Sequence, residues 1–203
     1  MLMYFLALSY KYKLIKNIFS NSNYCVRHEI IEKILSISSE VDFLKNDMIL
    51  NMWDEQNEVY IIFSGIARSY YLDKDGNDIT KFFMKENDFC IGESLFSNQK
   101  SIEGFEALEN VKALKFKAKE LKELILQDEG LSRLYMEFLE NSLLYKMQRE
   151  YAFQIMSATE RYIAFQKEYE EIKERVPQHY IASYLGIKPE SLSRIRRTIK
   201  EEN

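Results

Sequence analysis

The first pattern along the chain is a series of short runs rich in β-branched and aromatic residues. They are Asp47–Met52, Glu58–Phe63, Ile66–Leu72, Asp78–Met84 and Val111–Phe116, the last of which alternates apolar and basic residues. Short runs of this kind, separated by turn residues, are typical of strands. The Asp75-Gly76 pair favours a hairpin turn, because such a turn needs a positive φ. The pattern predicts an antiparallel β-roll of the jelly-roll type, preceded by helical segments.

After Phe116 the apolar positions recur at helical spacing. Lys119–Gln127 is a short amphipathic run, and a second, much longer helical segment covers about residues 128–156. The apolar stripe of this long segment is too wide for a single contact face. One side can pack on the strand domain and the other on a second copy of the same helix. A buried core helix of a monomer is the alternative interpretation.

A new helix is expected at Ser157, because Ser157 and Glu160 have the spacing of a capping box. We therefore expect three parts: a sensor domain at residues 1–127, a dimerisation helix at 128–156 and a C-terminal domain at 157–203.

The C-terminal part has the spacing of a helix-turn-helix. Pro177 suits a first helical position, Gly186 can end that helix in the left-handed conformation, and Pro189 can begin the next. Ala182 is small, as the close crossing of two such helices requires. The remaining inward positions are apolar: Ile181, Leu185, Leu192, Ile195 and Ile199. Two short helices joined through a glycine make this motif.

Charge supports a nucleic-acid role for the second of these helices. Residues 186–200 carry five cations and one anion, a net +4, in a chain whose net charge is −4. A basic helix on an acidic body is typical of a protein that docks one face on phosphate. Arg194 can bond both acceptors of guanine, and Glu190 can accept from the cytosine amino group. The alternative is a solvated cationic face, with Glu190 favouring the helix dipole.

Several motifs resemble those of the Crp/Fnr family of bacterial transcription regulators. They are Ile62–Arg68, Gly76, Gly92-Glu93-Ser94, Glu106–Glu109, Ala158–Tyr162, Arg175–Gln178 and Glu190–Arg197. The resemblance covers about residues 47–200. It implies an α+β chain with a cyclic-nucleotide-binding-like β-roll, a long dimerisation helix and a C-terminal helix-turn-helix domain of winged-helix-like type.

The resemblance also implies roles for single residues. Glu190 and Arg194 fall on the family's base-reading positions, and Ser193 falls on a reading Ser of the Fnr-like branch. Gln178 and His179 match the phosphate-touching start of the first motif helix. The full predicted DNA-binding set is Gln178, His179, Lys188, Glu190, Ser191, Ser193, Arg194, Arg196 and Arg197. Pro189 replaces a residue that is often basic in relatives, so one familiar contact is expected to be missing.

The effector site is less complete. Gly92, Glu93 and Ser94 match the family's ribose-binding segment, but the position of its phosphate-binding Arg falls near Ser101. A phosphate there would lose its charge-assisted partner and face Glu103. The sequence therefore argues against cyclic AMP, although Gly92, Glu93, Ser94 and Ser101 remain the candidate effector positions.

Other chemistries lack the residues they need. An iron–sulfur cluster requires about four thiolates, and the chain has two cysteines, Cys25 and Cys90, and two histidines. No nucleophile elbow, P-loop or dinucleotide fingerprint occurs, so we expect no enzyme and no cofactor. The apolar start at residues 1–8 is too short to span a bilayer, and the chain is expected in the cytoplasm without membrane contact.

The interpretation is a homodimeric transcription regulator that binds an inverted repeat in double-stranded DNA. A small-molecule effector and RNA polymerase are further candidate partners. The alternative function is a ligand-binding β-roll module that acts as a dimeric sensor without a DNA site of its own.

Overall fold

The computed structural model describes residues 11–13, 15–16, 18–19, 27–91, 95–96 and 99–202, and the described positions between 11 and 19 are helical. The strands that follow are β1 Ser38–Phe43, β2 Met48–Leu50, β3 Glu58–Ser64, β4 Ala67–Leu72, β5 Asp78–Met84, β6 Phe89–Cys90, β7 Gly104–Ala107 and β8 Val111–Lys117. The helices are α1 His28–Ser36, α2 Ala118–Gln127, α3 Glu129–Ile155, α4 Ala158–Glu168, α5 Gln178–Leu185 and α6 Pro189–Glu202.

The strands form two antiparallel four-stranded sheets. One has the order β1-β8-β3-β6 and the other β2-β7-β4-β5. Inward side chains of both sheets make the core between them, including Ile62, Phe105 and Val111. The Asp75-Gly76 hairpin joins β4 to β5, and Gly76 has a φ of 81°. The predicted β-roll is confirmed.

The roll is longer than the sequence pattern indicated. β1 lies ahead of the predicted first strand and pairs with β8 along its whole length, from Ser38 opposite Phe116 to Phe43 opposite Val111. Its sequence is mostly polar because it is an edge strand with outward positions, and its partner lies about seventy residues away. No local sequence pattern therefore predicts strand β1.

The long helix α3 has 27 residues and is about 40 Å long. Asp128 caps its first turn, since its side chain accepts from the Leu131 amide at 3.0 Å. The next helix begins with the predicted capping box, in which Ser157 and Glu160 bond each other's backbone amides. None of the described helices has the length and apolar character needed to cross a membrane.

The C-terminal domain lacks one expected feature. Between residues 157 and 202 the described chain forms helices and turns without a β-strand, so the winged-helix-like detail is not observed there. Residues 169–176 make helical turns instead. The Lys173 amide donates to Tyr169 and the Val176 amide to Ile172. Burial of Ile172 and Val176 in the domain core holds these turns in place.

The C-terminal domain shares its core with the β-roll. Ile66, Phe83 and Leu108 of the roll pack in the same buried cluster as Phe165 and Leu185 of the C-terminal helices. The first helix of the motif, α5, lies against strand β5, where the Thr80 amide donates to Ser183 Oγ at 2.9 Å.

Candidate nucleic-acid interface and sensor pocket

The turn between α5 and α6 is set by Gly186, which adopts the left-handed conformation with a φ of 67°. The Ile187 amide then donates back to the Ala182 carbonyl at 3.0 Å. Ala182 is fully buried, as the close packing of the two helices requires. Pro177 caps α5 rather than forming its first turn, and Pro189 begins α6 as predicted.

Two arginines from other helices hold the carboxyl end of α5. Arg149 of α3 donates to the Tyr184 carbonyl at 2.8 Å and lies over the Tyr184 ring at 3.8 Å. Arg161 of α4 donates to the Leu185 carbonyl at 3.0 Å and to the Met156 carbonyl at 2.7 Å. Positive groups at a helix carboxyl end are favourable, because the last carbonyls are unsatisfied. The sequence analysis missed both roles, since neither partner is near in sequence.

Helix α6 turns its apolar side inward and its charged side outward. Leu192 is buried, and Ile195 and Ile199 pack on the same cluster. Helical spacing places Glu190, Arg194 and Arg197 on the opposite face. The predicted residues Gln178, His179, Lys188, Glu190, Ser193, Arg194 and Arg197 are exposed, while Ser191 and Arg196 are half-buried. All nine lie on α5, on α6 or on the turn between them.

The cations of α6 and of the turn before it have no acidic partner among the described residues. Within the described part of the chain, Lys188, Arg194, Arg196 and Arg197 form no ion pair. The Ser193 hydroxyl donates to the Pro189 carbonyl at 3.1 Å, within the helix. This face is therefore positive and exposed, and no other described part of the molecule pairs with its charges.

The structure describes only one of the four candidate effector residues, Ser101. Gly92, Glu93 and Ser94 lie outside the described residues. Ser101 is buried, and its hydroxyl donates to the Glu103 carbonyl oxygen at 2.9 Å.

The Glu103 carboxylate is itself buried, with 2% exposure, and has two partners from neighbouring strands. Ser69 of β4 donates a short hydrogen bond to it, and Lys81 of β5 approaches it at 2.8 Å. Burial alone would lower the pKa of Lys81, yet the Glu103 carboxylate raises it above its ordinary value. The cation in this part of the roll is thus already neutralised by the chain itself.

A buried cation, Arg68, lies where the roll meets α5. It is 2% exposed and bonds Asp78 at 2.6 Å and Glu106 at 2.8 Å. Its guanidinium also stacks on the Tyr180 ring at 3.7 Å. Arg68 belongs to the quoted motif Ile62–Arg68, but the sequence carried no signal for its partners, which come from three other elements.

Ion pairs border the same junction. Arg175 pairs with Glu109 and, at 3.5 Å, with Glu86, and Lys85 pairs with Glu171. These contacts join the segment after α4 to the loops of the roll. The helix-turn-helix is therefore held on the roll by charge as well as by the shared apolar core.

Comparison with known proteins agrees with this architecture. Residues 40–128 match the family model of the cyclic nucleotide-binding domain. No curated protein sequence matches the chain closely enough to be counted as a relative. Several solved structures do have the same fold.

FixK2 from Bradyrhizobium japonicum is 19% identical with a TM-score of 0.72, over 82% of this chain and 86% of that one. The c-di-GMP responsive global regulator CLP of Xanthomonas campestris is 14% identical with a TM-score of 0.70, over 87% and 93%. A protein from Eubacterium rectale assigned to the Crp/Fnr transcriptional regulators is 18% identical with a TM-score of 0.67, over 87% and 85%. Residues 40–128 are therefore similar to the cyclic nucleotide-binding domain, and most of the chain has the fold of these solved structures, one of which is assigned to the Crp/Fnr family.

Proposed function

We propose that this chain is a transcription regulator of the Crp/Fnr type, which binds an inverted repeat in double-stranded DNA as a homodimer. The observation that carries the proposal is the outward face of α6, whose cations have no acidic partner among the described residues. Elsewhere the buried Arg68 and the half-buried Lys81 are neutralised by carboxylates. A DNA backbone supplies the missing negative charge.

In this proposal the residues divide into two classes. Glu190, Ser193 and Arg194 read base edges in the major groove, because they share the face of α6 opposite its buried side. Lys188, Ser191, Arg196 and Arg197, with Gln178 and His179 at the start of α5, contact phosphates or orient the helix. Phosphate contacts position the protein and base contacts give specificity.

Dimerisation is supported by the outward face of α3. Met136, Leu143, Met147 and Tyr151 recur there at helical spacing, and each is more than half exposed. An apolar stripe of this length is typical of a helix that packs on a second copy. Such pairing would place two α6 helices on half-sites about 34 Å apart, one turn of DNA.

The similar structures cited above include regulators and no protein named as an enzyme, which supports a non-catalytic role. The proposal places the protein in the cytoplasm, with RNA polymerase as a candidate partner. The ion pair between the buried Glu103 and the half-buried Lys81 supports a sensor that does not respond to cyclic AMP.

The test is selection of bound fragments from genomic DNA, followed by titration of the recovered sequence. We expect an inverted repeat, bound at least about a thousandfold more tightly than scrambled DNA. Its affinity should fall steeply as salt rises from about 50 to 200 mM. If no fragment is enriched and scrambled DNA binds equally well, the dimeric sensor without a DNA site becomes the better interpretation.

A further inference from the structure

Strand β5 contains a β-bulge at Lys81. Ser69 of β4 lies opposite Phe82, and the next residue, Tyr70, lies opposite Thr80, so Lys81 has no partner across the ladder. A bulge leaves one residue unpaired and re-aims its side chain, and bulges are common beside functional sites. The irregularity therefore makes Lys81 a candidate functional residue of the roll.

The Lys81 side chain enters an anion site at the inner face of its sheet. Its ammonium group and the Ser69 hydroxyl both donate to the same oxygen, Oε2, of Glu103. Ser69 is fully buried and lies directly opposite Phe105, which is part of the core between the two sheets. A cation and a hydroxyl that converge on one oxygen bind an anion strongly, and here the anion belongs to the chain itself.

The residues on both sides of the bulge hold the first helix of the helix-turn-helix. Thr80, just before Lys81, donates its amide to Ser183 of α5 at 2.9 Å. Phe83, two residues after Lys81, packs on Tyr184 of the same helix, with ring centroids 5.6 Å apart. The docking of α5 therefore depends on the local conformation of β5 around the bulge.

We propose that Glu103 is an internal ligand of the β-roll: its carboxylate occupies the anion site of Lys81 and Ser69 and so holds β5 in the conformation on which α5 docks. Without this carboxylate, Lys81 would be a half-buried cation with no partner, which is costly. Its side chain would then turn toward water, and the bulge would change with it. Docking of α5 consequently needs no effector. The inference concerns the roll and α5, and it does not depend on DNA binding.

The experiment is amide hydrogen exchange of the full chain carrying Glu103→Ala, in chloride, acetate or acetamide. In chloride, exchange of peptides covering β5 and α5 should be at least about tenfold faster than in the wild type, because both segments open more often. Acetate at about 100 mM supplies the missing carboxylate and should slow this exchange. Acetamide is neutral, has nearly the same shape and should not. Unchanged exchange at α5 in chloride, or an acetate effect no larger than that of acetamide, overturns the proposal.

Further variants separate this role from general loss of stability. Glu58→Ala is the matched control, because Glu58 also pairs with a lysine of the roll, Lys115, at 2.9 Å. It should leave exchange at α5 unchanged, and faster exchange there would contradict the proposal. Lys81→Met should speed exchange at α5 without rescue by acetate. If Glu103→Ala does not fold in chloride, Glu103→Gln decides, since exchange at α5 as slow as in the wild type overturns the proposal.

Discussion

At the scale of single residues, the environment of each charge separates structural groups from candidate functional ones. Arg68 is buried and Lys81 is half-buried, and nearby carboxylates neutralise both. Arg194 and Arg197 have the same charge but lie on the open face of α6. Sequence composition alone does not distinguish these two pairs.

Arg194→Ala should cost about 1–3 kcal/mol on the true DNA site and relax the base preference at one position per half-site, because a bidentate guanine contact is lost. Arg197→Glu should instead weaken binding to all sequences and flatten the salt dependence. Fluorescence anisotropy on specific and scrambled duplexes measures both. Lys119→Ala, an exposed cation of α2, is the control. If Arg194→Ala loses the same affinity for the specific and the scrambled duplex, Arg194 contacts a phosphate and not a base.

Asp88 gives a pH prediction, because burial raises the pKa of its carboxyl from 3.8 to about 6. The folded protein therefore keeps a proton there that the unfolded chain releases, and this group lowers stability as pH rises from about 4 to 6. Asp88→Asn removes the charge and retains an acceptor for the Lys85 amide. In the wild-type protein this amide donates to the Asp88 carboxylate at 2.8 Å. We expect the variant to match the wild type near pH 4 and to exceed it by about 1–3 kcal/mol at pH 7.

Urea unfolding at pH 4, 5, 6 and 7 measures this difference. Asp75→Asn, in the exposed hairpin turn, is the matched control and should change stability little at any of these values. An Asp88→Asn variant that is less stable than the wild type at pH 7 would show that the charged carboxylate is needed by the fold.

At the scale of elements, local sequence signals determine where the helices begin and end. Tertiary contacts determine how costly a change at those ends is. The capping box at Ser157 and the left-handed Gly186 were both readable from the sequence and are both confirmed. What the sequence did not show is that Phe153 of α3 packs directly on Gly186. A Cβ at this position would lie 2.7 Å from Phe153 Cε1.

Gly186→Ala should therefore destabilise the protein more than Gly76→Ala. Both glycines have a positive φ, so both variants carry a backbone strain of about 1–2 kcal/mol. Nothing lies within 4 Å of a Cβ at Gly76, whereas overpacking at Gly186 should add about 1–3 kcal/mol. Urea unfolding measures the difference. In a Phe153→Ala background this excess should disappear, and its persistence would show that Phe153 is not its cause.

At the scale of the whole molecule, α3 connects the roll, the proposed partner copy and the helix-turn-helix. Leu143→Glu should convert the proposed dimer to a monomer, because it places a charge in the apolar stripe where Leu143 is 59% exposed in the single chain. Sedimentation velocity measures the state, and loss of affinity for the inverted repeat should accompany it. Gln148→Glu is the control, because Gln148 lies about 100° around the helix from Met147. A Leu143→Glu variant that remains dimeric would place the interface elsewhere.

We expect the β-roll to bind neither cyclic AMP nor cyclic GMP. An incoming phosphate would meet the Glu103 carboxylate, and the Lys81 charge that could bind it is already paired. Calorimetric titration of the purified protein, after confirming that no nucleotide co-purifies, tests this directly. Micromolar binding of either nucleotide would refute this account of Ser101 and Glu103.

Much of the architecture was predictable because it depends on patterns of short range. Strand runs, the Asp75-Gly76 hairpin, the long helix and the helix-turn-helix each follow from residues within about ten positions of one another. β1 was not predicted, since its polar sequence forms a strand only by pairing with the distant β8. The predicted C-terminal helices are confirmed, and the described residues between them form helical turns with buried Ile172 and Val176, which no local pattern indicated.

The sequence by itself determined the order of the elements, the helix caps and the basic face of α6, because periodicity, capping and charge act locally along the chain. Only the tertiary structure decided which charges are neutralised, that Glu103 meets Lys81, and that Arg68 lies beneath Tyr180. Burial and pairing depend on atoms from distant segments, and no pattern within one segment records which of them will meet.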